Sequence, residues 1–258
     1  MAAPRESSHE LENLAGLLHD FGADGWTADR VGEAFVEIAA RSLRLESFYE
    51  TDAAFVTDLT AGPEATFPLP DMMEVIGRSV HQYLFSGILR TAGEYRQADD
   101  PGGGFVSFGG PKGQTAHPLF RGSPAQGISG ALHAAYARLV DAREDAWSSE
   151  VVKRDAARAE AEEAAILFYK DFSGVHPFYD ANGRAGRYVV SVYLLLHGLH
   201  VRWADVDAVD HKLMKKINEC LKRRDHADPS LIATYEARLV RFWRPFVDAI
   251  PDAFPLLE

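Results

Sequence analysis

The chain has 258 residues, of which 47% are hydrophobic and 25% are charged, and this composition excludes a disordered or a collagen-like protein. Its net charge of −11 at pH 7 argues against nucleic acid as the main partner, because nucleic-acid binding needs clustered lysine and arginine. Cys220 is the single cysteine, so no internal disulfide can form and nothing marks an oxidising compartment.

The N-terminal residues are polar, and no run of the sequence reaches the roughly 18 apolar residues that a membrane-spanning helix needs. We therefore expect no membrane association and a cytoplasmic location. An effector that is secreted without an apolar signal would have the same sequence features.

Helical periodicity dominates the first part of the chain. Apolar residues recur at helical spacing through residues 11–18 and 31–39, and Thr27 suits the N-cap of the second helix. Glycines and prolines between residues 58 and 71 then interrupt the pattern. We predict an N-terminal helical extension at residues 1–70, a core at residues 71–201, and C-terminal helices packed on the core at residues 202–258.

The core is predicted to combine helices with one small β-hairpin. A helix is expected from residue 72 to about residue 90, and the glycine-rich stretch after it contains two candidate strands, residues 94–97 and 105–108. After residue 128 the pattern is helical almost to the end, with an alanine-rich helix at residues 153–172. Residues 188–196 are apolar on nearly every side, which predicts a helix that is buried all round.

The most informative segment is the loop from His176 to Arg187, between the helix expected to end near residue 172 and the buried helix expected to begin near residue 184. A helix N-terminus presents unpaired amides and the positive end of the helix dipole, so the backbone at Asn182 and Gly183 can bind an anion. His176 titrates near neutral pH and is the candidate general base. Asp180 is a candidate Mg²⁺ ligand, because this ion is commonly held by one or two carboxylates plus substrate phosphates.

Two arginines follow on the first turn of the buried helix. Arg184 and Arg187 are three residues apart, so they lie on one face and can bind the outer phosphates of a nucleotide in bidentate fashion. Arginine near a helix N-terminus opposes the helix dipole, and a bound anion would offset that cost. The segment therefore predicts a phosphate-binding active site in an enzyme that transfers part of a nucleotide.

A pair of histidines lies further along the chain. His197 and His200, three residues apart at the end of the buried helix, could form half of a metal site. Without a third ligand or a neighbouring cysteine, we favour core or capping roles for both.

The loop resembles the signature of the Fic (Fic/Doc) family, His-Pro-Phe-x-Asp/Glu-Gly-Asn-Gly-Arg-x-x-Arg. Eight defining positions agree, namely His176, Pro177, Phe178, Asp180, Asn182, Gly183, Arg184 and Arg187. Ala181 departs from the signature, since most members have glycine there. Residues 80–85 and 92–96 also resemble the helix and hairpin flap of the family, so the resemblance extends from residue 72 to about residue 201.

The resemblance implies a mainly α fold, a Fic-type helical bundle with a small β-hairpin flap and an N-terminal helical extension. It implies a protein adenylyltransferase that uses Mg²⁺ to move AMP from ATP to a Ser, Thr or Tyr hydroxyl of a target protein. The implied roles are His176 as catalytic base, Asp180 as metal ligand, Phe178 as loop anchor, and Asn182, Gly183, Arg184 and Arg187 as nucleotide-binding residues. The flap residues expected to bind the target are Glu94, Tyr95, Arg96, Phe105, Val106 and Ser107.

Members of the family are often restrained by a helix bearing Ser/Thr-x-x-x-Glu-Gly/Asn, whose glutamate pairs with the second arginine of the signature. The nearest match is at residues 42–47, where Glu46 becomes the candidate inhibitory residue, although Gly or Asn is missing after it. A separate inhibitory partner protein is the other way in which such a site could be restrained.

Two alternative functions stay open at this point. Alanine at the position of Ala181 also occurs in the Doc branch, which phosphorylates its target, and in members that transfer phosphocholine. The same loop could therefore transfer phosphate, another nucleotide monophosphate or phosphocholine, but Doc-like members carry lysine where this chain has Gly183 and Arg184. A non-catalytic nucleotide-binding module is the second alternative, and the intact His176 and Asp180 argue against it.

Overall fold

The computed structural model describes residues 8–51, 68–108 and 120–250, and within these ranges the fold is mainly helical, as predicted. The helices of these ranges are α1 (Ser8–Phe21), α2 (Val31–Thr51), α3 (Leu69–Phe85), α4 (Ile128–Tyr136), α5 (Arg143–Ala146), α6 (Val151–Val175), α7 (Asn182–Leu196), α8 (Trp203–Asp207), α9 (Asp210–Leu221) and α10 (Pro229–Trp243). The strands are β1 (Ser107–Phe108), β2 (Phe120–Arg121), β3 (Leu199–Val201) and β4 (Val247–Ala249).

Helices α6 and α7 form the centre of the fold and pack against each other. Helices α2 and α3 also contact α7, and helices α4, α5, α9 and α10 pack on α6. Because α7 is surrounded in this way, the prediction of a helix buried all round at residues 188–196 is confirmed. On α6, Ala161 and Ala165 are fully buried, and such small side chains let neighbouring helices approach closely.

Helix α3 has different ends from those predicted, since it begins at Leu69 and stops at Phe85. Ser86 already has a non-helical backbone conformation. A helix end leaves carbonyl groups unpaired, and Arg41 of α2 binds such groups here. Its Nη1 donates to the carbonyl oxygens of Tyr83 (3.1 Å), Leu84 (3.1 Å) and Ser86 (2.8 Å). This contact fixes α2 against the end of α3.

The N-terminal helices are attached to the core by backbone contacts as well. The Ala23 amide donates to the Ile88 carbonyl (2.9 Å), and the Arg90 amide donates to the Phe21 carbonyl (2.9 Å). Most of the glycine- and proline-rich segment at residues 58–71 lies outside the described residues. The division of the chain at residues 70 and 201 therefore stays a prediction.

The hairpin is built from different segments than predicted. Strand β1 pairs with β2 in antiparallel fashion, with Ser107 opposite Arg121 and Phe108 opposite Phe120, so one predicted strand is found in part. The prediction of a strand at residues 94–97 is wrong, because Arg96 donates its amide proton to the Pro177 carbonyl (3.0 Å). That segment is held by the active-site loop instead of a partner strand.

His197 is a core residue, which agrees with the role preferred for it above. Its ring is buried, with Nδ1 lying 2.8 Å from the Tyr193 carbonyl oxygen, while Nε2 accepts from the Ala142 amide at 3.3 Å. Within the described parts of the chain, no cluster of three or more potential metal-binding side chains occurs. His200 lies in β3, which pairs with β4 in a second small sheet that was not predicted.

Candidate active site

The signature loop connects α6 to α7 through two residues in the left-handed region. His176 (φ 52°) ends α6, and its amide donates to the Phe172 carbonyl at 3.0 Å. Ala181 (φ 57°) precedes α7, and its carbonyl accepts the first bond of that helix from Ala185 at 2.9 Å. The amides of residues 182–184 therefore come before the first intrahelical bond and point out of the helix end.

The left-handed conformation explains why glycine is expected at position 181. A side chain with a Cβ atom costs roughly 1–2 kcal/mol in this region. We expect Ala181→Gly to relieve that strain, and the greater freedom of glycine in the unfolded chain to offset part of the gain. The free energy of unfolding should rise by up to about 1 kcal/mol, and any transfer activity should be retained or increased.

The measurement is chemical denaturation of both proteins, with Ala185→Gly as the control. Ala185 is fully buried in regular helix, where glycine is destabilising by roughly 1 kcal/mol or more. Equal destabilisation by the two substitutions would show that the backbone at residue 181 is not strained.

Phe178 lies in the core and holds the loop in place. Its ring is 1% exposed and stacks on the buried His81 ring, with 4.0 Å between centroids and 5° between planes. The Asn182 side chain closes the loop, because Oδ1 accepts from the Phe178 amide and Nδ2 donates to the Phe178 carbonyl, both at 2.9 Å. The Asn182 side chain is thus engaged within the loop, which leaves its backbone amide as the group that could bind an anion.

Arg96 is an interior residue, so the structure does not support the expected contact of its side chain with a target. It is 2% exposed. Its guanidinium donates to the carbonyl oxygens of His176 (2.9 Å), Ser123 (3.0 Å), Val175 (3.3 Å) and Gly104. Together with its amide bond to Pro177, these contacts join the flap, the end of α6 and the signature loop.

His176 is neutral at physiological pH. Burial lowers its pKa to about 4, the positive charge of Arg96 acts in the same direction, and a backbone hydrogen bond with Ser173 opposes the shift. The bond with Ser173 raises the pKa, as expected when a ring N–H donates to the Ser173 carbonyl oxygen. In the neutral ring, the second nitrogen can then act as a proton acceptor. The ring is thus prepared for the role of general base.

A cavity of about 390 Å³ opens beside the N-terminus of α7. Its wall is formed by Ser42, Leu45, Glu46, Tyr169, Ser173, His176, Asn182, Gly183, Arg184, Arg187, Tyr188, Asp210 and Met214. The structure therefore brings together the predicted base, the predicted nucleotide-binding residues and Glu46. The volume falls within the range of roughly 300–1,000 Å³ that is typical of small-molecule sites.

Arg184 points from α7 towards the N-terminal helices. Its Nη1 donates to the Ser42 hydroxyl (2.8 Å), and its Nη2 lies 3.5 Å from a carboxylate oxygen of Asp180. Asp180 also accepts the Ala181 amide proton and is about half exposed. It does not line the cavity itself, but its neighbour Arg184 does. The hypothesis that Glu46 restrains the site stays a prediction.

Arg187 is held by residues that the sequence did not single out. It donates to carboxylates of Asp207 (2.6 Å) and Asp210 (3.3 Å), and its guanidinium carbon lies 4.9 Å from the centre of the Trp203 ring. Tyr169 contributes a further hydrogen bond from the buried side. These residues come from α6, α8 and α9, and no local motif marks them.

The remaining flap residues differ in exposure. The Tyr95 hydroxyl donates to Glu74 (3.0 Å) and its ring packs near Phe178, so it is partly buried. Glu94 and Phe105 are exposed, and Phe105 has the Arg121 guanidinium 5.4 Å from its ring centre. The Val106 carbonyl accepts from Gly122 beside β1, where Ser107 begins the strand.

One cavity is thus lined by a neutral histidine, a helix N-terminus and two arginines. This arrangement indicates a protein that binds phosphate groups. Residues 76–194 of this chain match the Fic/DOC family. The family is a nucleotide-transferring one. No curated protein matches the chain.

Two solved structures are similar to this chain. One is the N-terminal Fic domain of a VirB-translocated Bep effector protein from Bartonella quintana with bound ADP, at 12% identity and a TM-score of 0.50, covering 89% of this chain and 91% of that chain. The other is a Fic family protein from Desulfovibrio desulfuricans, at 17% identity and a TM-score of 0.38, covering 95% and 76% respectively. The first similarity establishes a shared fold.

None of the helices in the described ranges is long and apolar enough to cross a membrane.

Proposed function

We propose that the chain is a protein adenylyltransferase that moves AMP from ATP to a Ser, Thr or Tyr hydroxyl of a target protein. The observation that carries the proposal is the cavity in which His176, the amides of residues 182–184, Arg184 and Arg187 meet. The Bartonella quintana Fic domain was solved with ADP, which supports a nucleotide as the ligand of this cavity.

In this proposal the target hydroxyl gives its proton to His176 while its oxygen forms a bond to the α-phosphorus of ATP. The bond from the α-phosphorus to the oxygen that bridges to the β-phosphate breaks, and pyrophosphate leaves in line. The amides at the start of α7 stabilise the negative charge on the α-phosphate, and Arg184 and Arg187 lie on the side of the departing phosphates. The amides are in place before the reaction, so they need little rearrangement.

The target is proposed to bind at the flap. A strand such as β1 can pair with an extended polypeptide, and backbone hydrogen bonds then hold the polypeptide regardless of its sequence. Phe105 is 55% exposed next to β1 and offers an apolar contact for a target side chain. Glu94 is exposed as well and offers a polar contact.

The Asp180 carboxylate fits a magnesium ion. Asp180 offers an exposed carboxylate beside Arg184, and Mg²⁺ prefers oxygen ligands, most of which come from phosphates and water in nucleotide sites. One protein carboxylate is therefore a sufficient donor set when a nucleotide is bound. The ion would neutralise phosphate charge and orient the nucleotide.

Replacing Asp180 by alanine is expected to raise the Mg²⁺ concentration needed for half-maximal transfer by about tenfold or more, because the carboxylate ligand is lost. The measurement is a magnesium titration of the transfer rate at fixed ATP. Asp205→Asn removes a carboxylate of α8 that pairs with Arg202 (3.1 Å) and serves as control. An identical magnesium titration for Asp180→Ala and the unaltered protein would place the ion on other groups.

The reaction itself is tested by incubating the full chain and a cell lysate with ATP labelled at the α- or the γ-phosphate, with His176→Ala in parallel. Label from the α-phosphate alone should appear on protein, and the mass of a modified protein should increase by one AMP. Transfer of the γ-label or of phosphocholine would support the alternatives of phosphate or phosphocholine transfer. Nucleotide binding without any covalent transfer would indicate a non-catalytic module.

A further inference from the structure

Both terminal nitrogens of Arg187 are engaged by carboxylates of the protein. Nη1 donates to Asp207 at 2.6 Å and Nη2 lies 3.3 Å from Asp210. Asp207 is the last residue of α8 and Asp210 is the first residue of α9, so the chain turns around the arginine with one carboxylate on each side. The guanidinium therefore does not face the cavity as an uncompensated positive charge.

The exposure of the three side chains shows that Arg187 can exchange the two aspartates for another anion. The side chain of Arg187 is 22% exposed, whereas those of Asp207 and Asp210 are 56% and 48% exposed. Both carboxylates can therefore return to water when Arg187 takes another anion. Ion pairs that reach solvent contribute little each, so a phosphate group can compete with them.

The charges near Arg187 affect the distal phosphates of a nucleotide most. The amides of residues 182–184 bind the anion nearest to the helix end, while Arg187 lies in the second turn of α7. A third phosphate at Arg187 must either displace a carboxylate or approach two of them. A diphosphate has one phosphate fewer and avoids this competition.

We propose that Asp207 and Asp210 are specificity-determining residues that reduce the preference of the site for nucleoside triphosphates over nucleoside diphosphates. The assignment rests on the proposed function, since it takes the nucleotide to lie with its outer phosphates towards Arg187. Two carboxylates compete with the third phosphate for one guanidinium, and ADP and ATP bind with similar affinity as a result. Removing both carboxylate charges restores the preference for the triphosphate.

The test measures the binding of ATP and ADP to the full chain by calorimetry, at fixed Mg²⁺ and ionic strength. For the unaltered protein the two dissociation constants should agree within about threefold. In the double variant Asp207→Asn, Asp210→Asn, the affinity for ATP relative to ADP should increase by about fivefold to tenfold, since two solvent-exposed ion pairs are removed. Asparagine preserves the shape of both side chains, and a thermal melt verifies that the variant is folded.

Asp205→Asn is the matched control, because it removes the same charge from α8 at a residue that pairs with Arg202 and not with Arg187 in the described structure. Its ratio of affinities should be that of the unaltered protein. An unchanged ratio in the double variant, an equal change in Asp205→Asn, or a tenfold preference of the unaltered protein for ATP would overturn the assignment. Failure of both nucleotides to bind would overturn the assignment as well.

This test is separate from that of the transfer reaction. A protein that shows the expected ratios and yet transfers no AMP would contradict the proposed function while the role of the two aspartates stands. Conversely, AMP transfer with an unchanged affinity ratio in the double variant would overturn only the role of the aspartates.

Discussion

Replacing His176 by alanine is expected to lower the rate of AMP transfer by roughly 10²- to 10⁴-fold, which is the usual contribution of a positioned general base. Nucleotide affinity should change by no more than a few-fold, because in the proposed reaction the α7 amides and the arginines bind the phosphates. Rates of transfer with α-labelled ATP and affinities from calorimetry are the two measurements. A large loss of affinity with an unchanged maximal rate would assign His176 to binding.

The pH dependence provides an independent check of the same residue. Burial lowers the pKa of His176 to about 4, so the ring is already a neutral proton acceptor across the physiological range. The value of kcat/KM, which reports the free enzyme, should be level near neutral pH and should fall below about pH 5 as the ring becomes protonated. His133→Ala, which removes an exposed histidine of α4, should leave both the rate and the profile unchanged.

The second large effect is expected at Arg96. Methionine there would leave up to four carbonyl oxygens without a partner in the interior, and each unsatisfied group costs about 1–3 kcal/mol. Part of this loss is offset because a charged group no longer has to be buried. We expect a net loss of about 3 kcal/mol in the free energy of unfolding, which corresponds to a decrease in Tm of about 6–12 °C.

Thermal and chemical denaturation measure this loss, and two further variants test its cause. Lysine at position 96 keeps the charge but cannot reach all four carbonyls at once, so Arg96→Lys should recover only part of the stability. Arg121→Met makes the same change on an exposed strand of the flap and should alter stability by less than about 0.5 kcal/mol. Similar losses for Arg96→Met and Arg121→Met would show that the buried hydrogen bonds contribute nothing.

The sequence alone determined the helices at the centre of the fold and the loop between them. The helix at residues 188–196 is apolar on nearly every side, and such a pattern is stable only when the helix is surrounded by other elements. The signature loop could be recognised because its base, its helix N-terminus and its arginines are contiguous in the chain. Local chemistry and local geometry coincide there, so no knowledge of distant contacts was needed.

The hairpin shows where local patterns are insufficient. Residues 94–97 have the composition of a strand, but a strand needs a partner, and pairing depends on which segment is near in space. The Pro177 carbonyl takes the amide of Arg96, so β1 pairs with β2 instead. The partner of residues 94–97 therefore depends on the position of the signature loop, which lies about 80 residues away in the sequence.

Only the tertiary structure decided the roles of Arg96, Asp207 and Asp210. A buried arginine and an exposed one look alike in a sequence, because burial depends on which carbonyl groups surround the side chain. Likewise, two aspartates of the C-terminal helices carry no sign that they contact an arginine of α7. Hydrogen bonds and ion pairs act over a few ångströms in space and independently of sequence separation, so the residues that tune the site become visible only when the chain is folded.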